Sequence, residues 1–481
     1  MRKASIIPLL FTLAFPANVA AGSPPVDERI ARVEAGLLPP ILLKGEPRVG
    51  MSLQDRMAHY KVPGISIAVV DAGALVWARS WGVVHSGQSG VVTPESMFQA
   101  GSISKTVAAM LTLRLASQGR LALDDPVNNH LKSWKLPASD QGGAQEVTIR
   151  HLLTHSAGLT PVTYLGVEPT SRVPTTLDLL QGKGQPAVPA VARVAAPGSR
   201  FSYSNSAFVV LQQLLADVSG ESFDALARAE FFAPLRMTGT TFAPLLPPPL
   251  FERAAWGHEA QPIASKGLVV PAAVGGLWTT PSDLARLLAA FFSSYRGATN
   301  GLMKPALARE AMLAQFESQG LCGVVEGNGS ALRIAQAGAM PGFIAILVGY
   351  PELGQGAVVM INAGGRSGGL ARELLRAVAA EYKWPGYLGE YEGAEVQATA
   401  LADVAGQYEF DNPKYPKIRV TVRDGRLYWV DQPMQPVVGG LFVVRSEGIE
   451  VEFVRDPGGT VVAADFREPG MRKMRIRRTG M

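Results

Sequence analysis

One cysteine, Cys322, and six histidines are all that this 481-residue chain offers to thiol or imidazole chemistry. A single thiol excludes an intrachain disulfide framework, a CxxC metal ribbon and a cysteine-ligated cluster. The histidines include no HExxH-type pair, which argues against a zinc hydrolase. Charge of one sign is scarce as well. Forty-five Lys and Arg against 40 Asp and Glu leave a formal net charge of only +5, which is no electrostatic footprint for nucleic acid. Past the N-terminus no segment reaches about 18 uninterrupted apolar residues, the length of a membrane-spanning helix. Apolar residues are nonetheless abundant, at 47% of the chain against 18% charged. That is far from a disordered composition and enough for a large core without cross-links. The length implies two or three domains. The expectation is a large soluble globular protein whose chemistry uses side chains rather than a metal.

The N-terminus has a three-part layout. Arg2 and Lys3 are a short positive region, Ile6 to Phe15 is an apolar run, and Val19-Ala20-Ala21 offers small residues for cleavage before Gly22. This reads as a secretory signal peptide over 1–21, hence a periplasmic or secreted protein with no stable membrane insertion once the signal is removed. No cysteine lies near the cleavage point to carry a lipid anchor.

Periodicity divides the rest. Ile65 to Val70 and Leu75 to Trp77 read as strands around a turn at Asp71-Ala72-Gly73. A helix is expected from Ser102 to Gln118, stopping at Gly119, with Val107, Met110, Leu111 and Leu115 on related faces. Ala207 to Val218 is a second strong helix, Gly342 to Ile361 a buried hairpin turning at Pro351 to Gly356, and Gly369 to Tyr382 a closing helix. After about residue 395 short alternating strands take over, with turns at Asp424-Gly425 and Asp456 to Gly459. They imply a small antiparallel barrel or sandwich over 395–481. Its tail, Arg472 to Arg478, alternates basic and apolar residues and reads as a solvated edge strand. Contact with an anionic cell-surface polymer is the alternative.

Three short motifs carry chemistry. In Ser102-Ile103-Ser104-Lys105 the i, i+3 spacing sets Lys105 beside the Ser102 hydroxyl on one helix face. A serine is a poor nucleophile until a base takes its proton. The positive end of a helix dipole and partial burial disfavour the ammonium form and tune a first-turn lysine toward that role. In Tyr203-Ser204-Asn205 a phenol beside a lysine can shuttle a proton, and an amide two residues on can orient lysine and substrate. In Gln336-Ala337-Gly338-Ala339, just before an apolar strand, an edge N–H can serve an oxyanion, and Gly338 permits close approach. Each motif alone also has an ordinary reading: a chance spacing, a helix N-cap, a turn.

Taken in order, these motifs, with His151-Leu152-Leu153-Thr154-His155-Ser156-Ala157-Gly158-Leu159 and Gly275 to Asp283 between them, resemble the β-lactamase-related serine hydrolases. That group includes class C β-lactamases, D-alanyl-D-alanine carboxypeptidases, D-aminopeptidases and esterases of β-lactamase fold. The resemblance runs from about Val62 to Tyr382 within a unit over 22–394. It implies an α+β fold of the β-lactamase/transpeptidase type, an antiparallel sheet flanked by helices plus an all-helical region, followed by the small all-β domain. It implies an acyl-enzyme mechanism with Ser102 as nucleophile, Lys105 as general base and Tyr203 as proton relay. Asn205 would position substrate and Lys105, and the N–H groups of Ser102 and Ala339 would form the oxyanion hole beside Gly338. No cofactor and no metal are implied. The substrate would be an ester or amide: a β-lactam, a D-amino-acid peptide of cell-wall origin or a short-chain ester. Gln336 departs from the family, which carries Lys, His or, in some esterases, Trp there. A neutral amide loses charge-assisted recognition of a carboxylate, which moves weight toward neutral substrates. A catalytically weak penicillin- or cell-wall-peptide-binding or sensor protein on the same fold is the alternative. His151 and His155 are expected in packing or turn roles, Cys322 in the core, and Asp283 as the cap or start of a helix.

Overall fold

Residues 65, 67 and 69 turn one way and 66, 68 and 70 the other, and all six are buried, so this strand needs cover on both faces. A computed structural model shows what covers it. It describes residues 24–480 apart from 140–144, 165, 185–187, 260–262, 264–265, 300, 397, 411–415 and 468–472. The expected signal peptide lies outside the described residues.

In chain order the elements that matter here are α1 (Val26–Ala35), α2 (Leu53–Tyr60), β1 (Gly64–Asp71), β2 (Ala74–Gly82), α3 (Ile103–Ser117), α4 (Asn205–Ser219) and α5 (Pro281–Tyr295). They continue with β3 (Val324–Glu326), β4 (Arg333–Met340), β5 (Phe343–Tyr350), β6 (Gln355–Ile361) and α6 (Gly368–Glu381). The six strands form one antiparallel sheet in the order β2-β1-β6-β5-β4-β3. Its front face, with Ala68, Val70, Ile334, Leu347 and Met360, packs on α3 and α5, and α4 packs in turn on α3. Its back face, with Ile65, Ile67, Val69, Ile346 and Val359, packs on α1 and α6. The fold is α+β, as the sequence implied.

Helix α3 differs from the expectation in one respect. It has no wet face over most of its length: every residue from Ile103 to Leu113 is buried. A helix apolar all round belongs in a core, and this one runs through the middle of the front layer.

The C-terminal strands form a closed eight-stranded barrel, β7 (Gly406–Glu409), β8 (Ile418–Arg423), β9 (Arg426–Trp429), β10 (Gln432–Val437), β11 (Leu441–Val444), β12 (Ile449–Arg455), β13 (Val461–Arg467) and β14 (Met474–Gly480), in sequential order. This corrects the reading of the basic tail as an edge. β14 pairs with β13 on one side and with β7 on the other, so closure leaves it no free edge. Ile476 fills the barrel interior while Arg475 points out to Asp465. Alternation looks the same on an edge strand and on the strand that closes a barrel, because closure is set by the far end of the chain. No helix among the described residues is long and apolar enough to cross a membrane.

Candidate active site

The site grows from one interrupted edge. β3 pairs with β4 only at residues 333–335, so 336–340 of β4 face no strand on that side. The chain entering α3 takes that place. Gly101 has φ +52°, and a Cβ there would lie 2.6 Å from the Ala339 nitrogen. A Cβ on Gly338 would strike the Ala100 carbonyl and lie 2.9 Å from the Ser102 nitrogen. Only glycine at both positions lets the two backbones touch. The contact sets the main chain of Ala339 beside the Ser102 N–H at the N-terminus of α3, while the N–H groups of Ile103, Ser104 and Lys105 donate to the carbonyls of Ala100, Gly101 and Ser102.

Ser102 stands at that N-terminus as the residue before Ile103. Its Oγ lies 2.7 Å from the Tyr203 hydroxyl and 3.2 Å from Lys105 Nζ. Lys105 is only 4% exposed. Its ammonium donates to the Val274 carbonyl at 2.8 Å as well as to Ser102. It also lies 5.0 Å from the ring centre of Tyr203 and 5.8 Å from that of Phe208. Among the described residues it forms no ion pair. Its charge is held by two oxygens and two ring faces, not by a carboxylate.

Tyr203 is half-exposed at the entrance to α4, where the Ser204 hydroxyl caps the helix by accepting from Ala207 N–H. Its ring stacks on the His155 imidazole, with centroids 4.5 Å apart. His155 holds the same stretch twice more. Its Nδ1 accepts from Ser204 N–H at 3.0 Å, and its carbonyl accepts from Ser202 N–H at 2.7 Å. His155 has φ +56°, left-handed backbone that is costly for a residue with a side chain. The sequence reading gave this histidine a packing or turn role. The structure places it directly behind the tyrosine.

The remaining sequence candidates divide. Ser102, Lys105, Tyr203, Gly338 and the Ala339 backbone come together. The Asn205 amide instead donates to the Val162 carbonyl at 3.1 Å and makes no hydrogen bond to Lys105. Gln336 shares the front face of β4 but donates to the neighbouring Ala337 carbonyl at 2.8 Å. His151 accepts from Thr148 N–H in a capping box. Asp283 is not the cap of α5. Thr280 is, and Asp283 sits in the first turn, where its buried carboxylate accepts from Gly239 N–H and the Thr240 hydroxyl. Burial raises its pKa above the ordinary carboxylate value. Cys322 lies in the core, where burial pushes its thiol well above the usual range. Two contributors carry no sequence signal of their own: the Val274 carbonyl and the stacking of His155.

A serine, a lysine and a tyrosine in mutual contact beside an uncovered strand edge agree with a further finding. The family model described as Beta-lactamase matches residues 52–381. The chain belongs to that family. Among its relatives, a beta-lactamase of Escherichia coli K12 is 29% identical over 242 residues, 50% of this chain and 59% of that protein. The D-alanyl-D-alanine-carboxypeptidase/endopeptidase AmpH of the same organism is 25% identical over 254 residues, 52% of this chain and 64% of that protein. The chain therefore spans less than two thirds of the length of these relatives. The octameric penicillin-binding protein homologue from Pyrococcus abyssi has the same fold, with a TM-score of 0.59 at 21% identity, covering 88% of this chain and 98% of that one.

Proposed function

We propose that this chain of the beta-lactamase family is an exported serine hydrolase that works through an acyl-enzyme on Ser102. The observation that carries the reading is the hydroxyl of Ser102 held between Tyr203 OH and Lys105 Nζ at 2.7 and 3.2 Å. Nucleophile and base within hydrogen-bond reach, with the base oriented by a third group, is the arrangement that activation requires. The third group here is the Val274 carbonyl.

The steps follow from the contacts. In the form of the enzyme whose Lys105 amine is neutral, Ser102 Oγ attacks the substrate carbonyl as that amine takes its proton and becomes the ammonium, so a C–O bond forms and the carbonyl oxygen becomes an oxyanion. The N–H groups of Ser102 and Ala339 receive that charge. Tyr203 gives its hydroxyl proton to the leaving alcohol or amine as its bond to carbon breaks, and the proton held by Lys105 replaces it, which leaves the lysine neutral again. Water then attacks the ester on Ser102, and the same groups move its proton back to Oγ. Export rests on the Arg2-Lys3 and Ile6 to Phe15 layout of the N-terminus.

Neutral esters or amides are the substrates favoured. Gln336 carries no charge, and its amide is already engaged by Ala337, so a carboxylate on a β-lactam or peptide terminus gains no ion pair there. The same residue favours a second reading, a catalytically weak protein that binds penicillins or cell-wall peptides. The deciding measurement is hydrolysis of a short-chain p-nitrophenyl ester and of a chromogenic cephalosporin by wild type and by Ser102→Ala. The hydrolase reading expects ester turnover that falls by about 10⁴-fold in the variant. Stoichiometric labelling of Ser102 without turnover would instead establish the binder. Neither turnover nor labelling would sink both.

A further inference from the structure

A second buried cation sits on the opposite face of the same sheet. Behind β4 and β5, between α6 and the barrel, lies a cavity of about 140 Å³. Ala335, Ile346 and Val348 form its floor, and these belong to the back face of the sheet, not to the face that carries Ser102. Its polar lining is four arginines, Arg333, Arg372, Arg376 and Arg467, and two glutamates, Glu326 and Glu450.

Both carboxylates are already committed. Glu326 accepts from Arg333 at 2.8 Å. Glu450 accepts from Arg467 at 2.9 Å through both oxygens and from the Tyr391 hydroxyl. Arg376, on α6, is more than nine-tenths buried. Its one hydrogen bond is a long one, 3.4 Å from Nη1 to the Tyr387 carbonyl, outside the usual N–H···O range. Its Nε and Nη2 are buried and have no partner among the described residues. A guanidinium cannot escape this by losing its proton. An uncompensated buried charge is among the costliest things a fold can retain.

We infer that this cavity is a binding site for a small oxyanion of the phosphate or sulfate class, received by Arg376 between α6 and the barrel. The planar N–H fork of arginine matches the paired oxygens of such an ion. Arg333 and Arg467 are paired with the two glutamates, and Arg376 is left without a counter-charge among the described residues. The space exceeds what a single water requires. A peptide or a nucleotide would not fit behind a floor of sheet side chains. The barrel contributes Arg467 and Glu450, so an ion held here also ties the barrel to the catalytic unit.

The test uses the full chain and leaves Ser102 out of the readout. Thermal melting is followed in sodium phosphate, sodium sulfate and sodium chloride at matched ionic strength. Ligand that binds only the folded state raises the midpoint with the logarithm of its concentration, by about 3 °C at 100 times Kd for a chain of this length. The expected result is that rise with phosphate or sulfate and not with chloride. Arg376→Met removes it and Arg376→Lys keeps part of it. Should Arg376→Met fail to fold, line broadening of the ³¹P signal of phosphate by wild type, reduced with Arg376→Lys, gives the same answer. An equal rise in chloride, an undiminished rise in Arg376→Met, or no rise and no broadening with wild type would each overturn the assignment.

Discussion

Two buried cations sit back to back across one sheet, and they are treated in opposite ways. Lys105 on the front has two oxygen acceptors within 3.2 Å and two aromatic faces around it. Arg376 on the back has one carbonyl at 3.4 Å and two nitrogens without partners. Neither has a carboxylate partner among the described residues. On the proposed mechanism the isolation of Lys105 has a use: an ion pair would hold it as the ammonium and remove the base that Ser102 needs. For Arg376 the same isolation serves nothing inside the chain, which is why a ligand is the economical account. A buried charge without a counter-charge thus marks a site on either face, and what surrounds it says whether the missing partner is a reaction or an ion.

The sharpest way to break that comparison is to make both cations methionine. Lys105→Met removes the base and lowers kcat on a p-nitrophenyl ester by about 10⁴-fold. Its melting temperature stays near wild type or rises, because well-packed apolar residues replace buried charges at little or no cost. Arg376→Met also melts at or above the wild-type temperature in phosphate-free buffer. Esterase rates and melts of the two proteins check this. Full activity in Lys105→Met would hand the base role to Tyr203, whose hydroxyl is the closer of the two to Ser102 Oγ.

A smaller effect probes what holds Tyr203. His155 stacks on its ring and ties down both Ser202 and Ser204. His155→Ala should lower kcat by about 10- to 100-fold with little change in KM, since misplacing a reacting group by an ångström costs that much. His155→Phe, which keeps a ring under Tyr203, should recover part of the rate. A fall in melting temperature with kcat unmoved would reduce His155 to packing.

How much of this was legible in the sequence depends on how local each feature is. Ser102 and Lys105 share one helical turn, and Tyr203 stands just before a strongly periodic helix, so spacing made them candidates and their order along the chain, which resembles the family's, singled them out. β1, β5 and β6 were legible because their apolar runs are long and end at glycine-bearing turns. The rest is non-local. His155 meets Tyr203 across 47 intervening residues, and the Val274 carbonyl reaches Lys105 as bare backbone with no side-chain identity to read. The edge of β4 exists only because β3 stops pairing at Ala335. Arg376 reads as an ordinary helix arginine, since what singles it out is the shortage of partners around it. Closure of the barrel by β14 rests on pairing with β7, some 70 residues earlier.

Gln336 offers the mildest and most selective change. It lies on the front face of β4, its amide turned to its own strand, where a cation would instead reach into the site. Gln336→Lys should leave turnover of a neutral ester nearly unchanged and raise turnover of a carboxylated substrate by about tenfold. That is the gain when a neutral hydrogen bond becomes a charge-assisted one worth about 1.4 kcal/mol more. The ratio of the two rates is the quantity to measure, because expression level and folding cancel in it. An equal change on both substrates would mean that Gln336 tunes the Ser102–Tyr203–Lys105 cluster itself and not the recognition of charge. The preference for neutral substrates would then have to come from the loops around the site.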